Sequence, residues 1–169
     1  MAEVHFPKGS GGFLNPEIVV QGFGLKAGMR VGDFGCGGGY FSIPMAQLIG
    51  SDGKVSAIDI LEEQLSAVRV RAGIFKLRNI QYIQADLEKE NGSKLDSDSQ
   101  DIVLVANLLF QVTNKEAPIQ EAKRVMKDGG KLIIIDWRQD SNFGPKDGRI
   151  DIADIRKMVE AQGFTFENN

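Results

Sequence analysis

The segment Val31-Gly32-Asp33-Phe34-Gly35-Cys36-Gly37-Gly38-Gly39-Tyr40 decides the reading of the fold. A short apolar run, Val31 to Phe34, leads into clustered glycines, and a helical pattern follows from Tyr40. Glycines at such a strand-to-helix turn let the backbone bend sharply and approach a ligand closely. As a dinucleotide fingerprint, G-x-G-x-x-G/A, the segment fails: counted from Gly35 it ends on Tyr40, and from Gly37 on Ser42. A nicotinamide or flavin site is therefore not expected. As acidic-x-G-x-G-x-G it matches fully, at Asp33, Gly35, Gly37 and Gly39.

Outward from this turn, β-branched runs alternate with helical patterns. Strands are predicted over Val31 to Phe34, Val55 to Ile60, Ile80 to Ala85, Ile102 to Ala106 and Leu132 to Ile135. Alternation of this kind makes βαβ units around a parallel sheet. The near-continuous apolar runs 102–106 and 132–135 mark strands covered on both faces. Asn15-Pro16-Glu17 starts a leading helix, because Asn accepts from free amides, Pro suits the first helical position and Glu favours the positive end. Further helices are predicted over Tyr40 to Ile49, Glu62 to Ala72, Lys115 to Met126 and Ile152 to Gln162. Gly50, Gly73, Gly129 and Gly163 stand at or beyond predicted helix ends, where a left-handed cap is wanted. Glu88 to Gln100 and Arg138 to Arg149 read as loops.

The chain has 169 residues, 42% hydrophobic and 25% charged, which suits one soluble globular domain: a lid segment and leading helix over 1–30, then a core over 31–169. A net charge of −3 gives no global attraction to nucleic acid or anionic membranes. One Cys and one His, the latter at position 5 and read as non-catalytic, are too few for a zinc site or an internal disulfide, so no metal is expected. Met1 to Gly12 lacks the apolar core of a signal peptide, and no stretch reaches the roughly 18 apolar residues of a membrane span. The expected location is cytoplasmic, with no membrane partner. Asp96-Ser97-Asp98-Ser99 reads as a solvated loop, and the basic residues Arg69, Arg71, Lys76 and Arg78 as a solvated helix end.

Four segments in order resemble those of class I S-adenosylmethionine-dependent methyltransferases, in the style of the small ubiquinone and menaquinone biosynthesis enzymes. Asp33 to Gly39 resembles the first motif. Ala57-Ile58-Asp59 ends the second strand with an acid, Gln84-Ala85-Asp86-Leu87 ends the third with another, and Asp101 to Asn107 resembles the fourth motif. Lys127-Asp128-Gly129-Gly130-Lys131-Leu132 is similar to the family's turn into strand five. The resemblance implies a Rossmann-like, doubly wound, mostly parallel α/β sheet in three layers, with S-adenosyl-L-methionine as cofactor and S-adenosyl-L-homocysteine as product.

It also implies roles. Asp59 would accept from the ribose hydroxyls, Asp33 would hold the methionine ammonium directly or through water, and Asp86 would accept from the adenine amino group. Ile60 and Leu87 would flank the adenine ring. Gly35, Cys36 and Gly37 would lie against the cofactor, and Asn107 would contact its methionine end. Leu108, Phe110 and Gln111 would face the methyl acceptor. Trp137 reads either as an acceptor-pocket residue or as core. Cys36 has no base partner and reads as a packing residue rather than a nucleophile. Neither a His nor paired carboxylates announce a general base, so no catalytic acid or base is assigned. A small-molecule acceptor is the first expectation, RNA the second, and a catalytically inactive cofactor-binding subunit the third.

The family's strand order, 3-2-1-4-5-7-6, meets a short C-terminal region here. After the helix 152–162, Gly163 to Asn169 suffices for strand six only. The edge of strand five would then be open unless Phe164-Thr165-Phe166 moves beside it or a second chain covers it in a homodimer.

Overall fold

The computed structural model describes residues 14–166; the expectations for Met1 to Gly12 and His5 lie outside those residues. Five strands form one all-parallel sheet: β1 (Arg30–Phe34), β2 (Lys54–Asp59), β3 (Ile80–Gln84), β4 (Gln100–Ala106) and β5 (Met126–Ile135). Their order is β3-β2-β1-β4-β5. The helices are α1 (Pro16–Val19), continued by a 3-10 turn Val20–Phe23, then α2 (Ser42–Ile49), α3 (Glu62–Ile74), α4 (Glu116–Val125) and α5 (Ile152–Ala161).

Period-two alternation divides the interior into two halves. Val31, Val55, Ala57, Ile102, Leu104 and Ala106 point to one face, where they meet Phe41, Met45 and Ile49 around α2 and Leu65, Val68 and Ala72 of α3. Phe34, Ile58, Val103 and Val105 point to the other, against Ile119, Ala122 and Val125 of α4 and Val159 of α5. The sheet is thus covered on both sides, which is why its central strands read as unbroken apolar runs. Connections after β1 and β2 pass over the first face and the connection after β4 over the second. The winding direction therefore reverses between β1 and β4, and a crevice opens at their C-terminal ends.

Element ends shift in ways with local causes. The helix expected from Tyr40 begins at Ser42, because Gly39 is left-handed, at φ 79°, and turns the chain first. Gly73 lies inside α3 rather than capping it. The turn Lys127–Gly130 is absorbed into β5 as a bulge: Gln100 pairs with Met126 and Ile102 with Lys131, so four residues bow out opposite Asp101. Asn79 Nδ2 donates to the carbonyls of Ala46 and Gly50, both at 2.8 Å, and so satisfies the end of α2.

The C-terminal expectation needs correction. Residues 163–166 form no strand. Phe164 packs with the α4–α5 half of the core, its ring 5.2 Å from Lys123 Nζ, and Arg156 lies over the Phe166 ring. The amide of Phe164 closes the end of α5 on the Val159 carbonyl at 3.2 Å. Burying an aromatic ring against two helices draws the segment there instead of to the edge of β5.

A polar cluster fixes the long loop before β4. Glu121 on α4 is 5% exposed and accepts from the Ser93 amide and hydroxyl and from Arg124, which also reaches the Leu95 carbonyl at 2.8 Å. Glu121→Ala is expected to cost about 2 to 3 kcal/mol, since it leaves a guanidinium and an amide without their buried acceptor. Urea unfolding checks this, with Glu121→Gln expected to lose less because it keeps one acceptor oxygen.

Candidate functional site

The crevice is lined by the chain segments that leave β1, β2, β3 and β4. Register aligns their ends, with Phe34 beside Ile58 and Val105, and Asp59 beside Gln84. The Gly35 and Cys36 amides both donate to the Ile58 carbonyl at 2.9 Å, folding the glycine loop toward β2. Asp59 completes the clamp: Oδ2 accepts from the Gly37 amide at 2.9 Å and Oδ1 from the Leu61 amide at 3.0 Å.

Gly35 has φ 73°, and a Cβ there would stand 2.9 Å from Leu108 Cδ1. A side chain is excluded twice over, by conformation and by space. At Gly37 the situation differs: a Cβ would meet nothing closer than Gln64 Oε1 at 4.0 Å. The loop is open backbone at this position, which forms a cradle beside Asp59.

Asp33 is 1% exposed and accepts from Ser42 Oγ at 2.5 Å. Burial pushes its carboxyl up to about 7, the Ser42 hydroxyl opposing the rise and the Asp59 charge adding to it. Cys36 is 8% exposed and belongs to the α2–α3 half of the core. Burial, then the charges of Asp33 and Asp59, push its thiol up, so it stays protonated and unreactive.

Asp86 is half-buried, and its Oδ1 accepts from the Glu88 amide at 3.0 Å in a turn of its own. Leu87 is 6% exposed within the second core, whereas Ile60 is 58% exposed at the rim. Asn107 is left-handed, at φ 51°; its amide reaches the Ile135 carbonyl at 2.7 Å, and its own carbonyl accepts from Gln111 Nε2 at 2.6 Å. Leu108 leans over Gly35, and Phe110 is half-buried just beyond it.

Two residues without an assigned sequence role help to shape this end of the sheet. Ser42 partners the Asp33 carboxyl. Asp136, directly after β5, accepts from the Leu109 amide at 3.0 Å and the Trp137 amide at 2.8 Å. Burial raises its carboxyl, opposed by those amides and by Lys115. An acid at the end of a fifth strand was a legible signal, of the same kind as Asp59 and Asp86.

A family model described as a methyltransferase domain matches residues 25–163. The chain belongs to the methyltransferase-domain family. This methyltransferase domain is 30% identical over 146 residues to the ubiquinone/menaquinone biosynthesis C-methyltransferase UbiE of Azotobacter vinelandii, across 85% of this chain and 52% of that one. The namesake from Shewanella pealeana is 32% identical over 126 residues, across 71% and 47%. The chain thus spans about half the length of these relatives.

Among solved structures, a SAM dependent methyltransferase from Aquifex aeolicus superposes with a TM-score of 0.78 at 28% identity, covering 88% of this chain and 79% of that one. The arsenic (III) S-adenosylmethionine methyltransferase of Chlamydomonas reinhardtii gives 0.72 at 25% identity, covering 83% and 53%. The methyltransferase domain described here is of the S-adenosylmethionine-dependent, Rossmann-like class.

Asp33 has a consequence for stability that can be measured without any ligand. Its carboxyl titrates near 7 when folded and near 3.8 ordinarily, so the stability it contributes is full below about 3.8 and is lost as pH rises through about 7. Asp33→Asn removes that dependence and keeps an acceptor for Ser42. The difference in unfolding free energy between the two proteins is expected to shift toward the variant by up to about 1.4 kcal/mol per pH unit across that window, read from urea titrations at several pH values.

Proposed function

We propose that this protein transfers a methyl group from S-adenosyl-L-methionine to a small-molecule acceptor. The observation that carries the reading is the Asp59 clamp beside the open Gly37 cradle. A carboxylate offers about four acceptor positions, and the Gly37 and Leu61 amides take one on each oxygen. Two positions remain, enough for the paired hydroxyls of a ribose. The residues present fit the cofactor.

When bound, S-adenosylmethionine supplies a sulfonium-activated methyl group. The chain's own work is to bind, orient and keep water away. Asp59 takes the ribose hydroxyls, and Asp33 takes the methionine ammonium, whose charge favours the ionised carboxylate that burial opposes. Asp86 accepts from the adenine amino group, with Ile60 and Leu87 beside the ring. The backbone of Gly35, Cys36 and Gly37 lies along the cofactor, and Asn107 stands at its methionine end. Leu108, Phe110 and Gln111 present a largely apolar surface to the acceptor, which favours alignment in a dry pocket over acid-base chemistry.

A small acceptor is favoured by the net charge of −3 and by the similarity to ubiquinone/menaquinone biosynthesis C-methyltransferases. Labelled methyl transfer onto 1,4-naphthoquinol, arsenite and total RNA tests it: label in a small-molecule product is expected, and label confined to RNA would reverse the reading. Failure to transfer to any pool, with cofactor still bound, would favour a cofactor-binding subunit.

Asp59→Ala should weaken binding of S-adenosyl-L-homocysteine by about 1 to 3 kcal/mol, roughly 5- to 150-fold, as the hydroxyls lose a charged acceptor. Calorimetry on a variant with an unchanged circular dichroism spectrum decides, and undiminished affinity would remove Asp59 from the site.

We also propose a homodimer. Among the described residues β5 pairs only with β4, and Leu132 to Ile135 stay half-buried at that edge. A second copy adding strand to strand would cover them. Light scattering across a concentration series is expected to give twice the 18.5 kDa chain mass, and a monomer throughout would refute the pairing.

A further inference from the structure

The loop 138–149 contains only turns and bends, yet one side chain organises it. Arg149 Nη1 donates to the carbonyls of Arg138 at 2.9 Å, Gln139 at 3.2 Å and Ser141 at 2.8 Å. Its Nη2 donates to Phe143 at 2.6 Å and Gly144 at 3.4 Å, and its Nε to Pro145. Every guanidinium nitrogen is spent on main chain of the same loop. Six carbonyls converging on a planar, rigid fork fix a loop that has no strand or helix to do so.

The loop is pressed onto the crevice at two glycines. Gly144, at φ 81°, lies so close to the indole that a Cβ would stand 2.5 Å from Trp137 Cε3. Gly148, at φ 76°, lies so close to the turn after β4 that a Cβ would stand 2.1 Å from the Phe110 carbonyl oxygen. That turn is itself fixed, by Asp136 on the Leu109 amide and by Lys115 Nζ on the Leu109 carbonyl at 2.7 Å. Trp137 and Phe110 therefore belong, with the loop backbone at Gly144 and Gly148, to one pre-assembled wall. It stands at the ends of β4 and β5, away from Asp59 and Asp86.

We propose that Arg149 is a positioning residue for acceptor recognition: by gathering six carbonyls it holds loop 138–149 as a wall against Trp137 and Phe110, so that the acceptor meets a surface already built. This rests on the methyltransferase reading, in which Phe110 faces the acceptor. Cofactor contacts are untouched by it, and that separation makes it testable.

Arg149→Lys keeps the charge and loses the fork; Gly148→Ala leaves Arg149 intact and forces the wall off Phe110. For both variants, S-adenosyl-L-homocysteine affinity by calorimetry is expected within about twofold of the parent. With 1,4-naphthoquinol as acceptor, KM should rise about tenfold or more while kcat changes by less than about threefold. Trp137 is the protein's only tryptophan, so acrylamide quenching of its fluorescence reports the wall directly and should increase. Cofactor affinity falling in step with KM would overturn the proposal, as would unchanged quenching. If the parent methylates none of the probes, the acceptor reading is what has failed. Quenching and cofactor affinity then still decide on Arg149: increased quenching at constant affinity supports the wall, and any other combination refutes it.

Discussion

The clamp between the end of β2 and the glycine loop is the constraint on which the rest of the site depends. Two amides on the Ile58 carbonyl and one on the Asp59 carboxylate turn a flexible run of glycines into a fixed backbone surface. A glycine loop alone would carry a large entropy of ordering. Here the neighbouring strand supplies the bonds that offset it. Asp59 thus has a structural task, and its bonds to the Gly37 and Leu61 amides fix the orientation of the carboxylate in which the proposed ribose contacts would be made.

The two halves of the core meet the crevice differently. On the α2–α3 side the interior runs up to the glycine loop and encloses Asp33 and Cys36 near the ends of the strands. On the α4–α5 side the core reaches up to Leu109, and polar links surround it there: Asp136, Lys115 and the Asn107–Gln111 pair. One wall of the crevice therefore joins packing to a backbone clamp, and the other rests on side chains that hydrogen-bond a turn. The second kind of wall is the easier one to reshape, since substituting a loop leaves the core alone.

Much of this was legible in the residues because each legible feature is local. The alternation of β-branched runs with helical spacing gives the five strands, and Asp33, Gly35, Gly37 and Asp59 are recognisable from their distances along the chain. Bonds between distant residues are not. Nothing near Ser42 announces that its hydroxyl meets Asp33, and nothing near Arg149 tells it from any exposed arginine until the loop has closed around it. The placement of Phe164, for which the sequence offers the edge of β5 as one of two alternatives, is not legible for the same reason. It packs on the α4–α5 surface beside residues far away in sequence, such as Lys123, 41 positions earlier in the chain.

The pairing of β1 with β4 sets the order in which such a molecule can be built. The amide of Arg30 is held by Asp101 at 2.7 Å, 71 positions away, while β1, β2 and β3 are joined through shorter crossovers. Closing so long a segment carries an entropic penalty that nearby contacts do not. Before that closure, contacts of shorter range join only the half built on β1 to β3. It then holds a glycine loop with one bank and no crevice. The second bank arrives only with Gln100–Ala106, and with it Leu108 over Gly35. The crevice is in this sense a long-range product, completed when the middle of the sheet closes, although its most recognisable residues lie within one short stretch of chain.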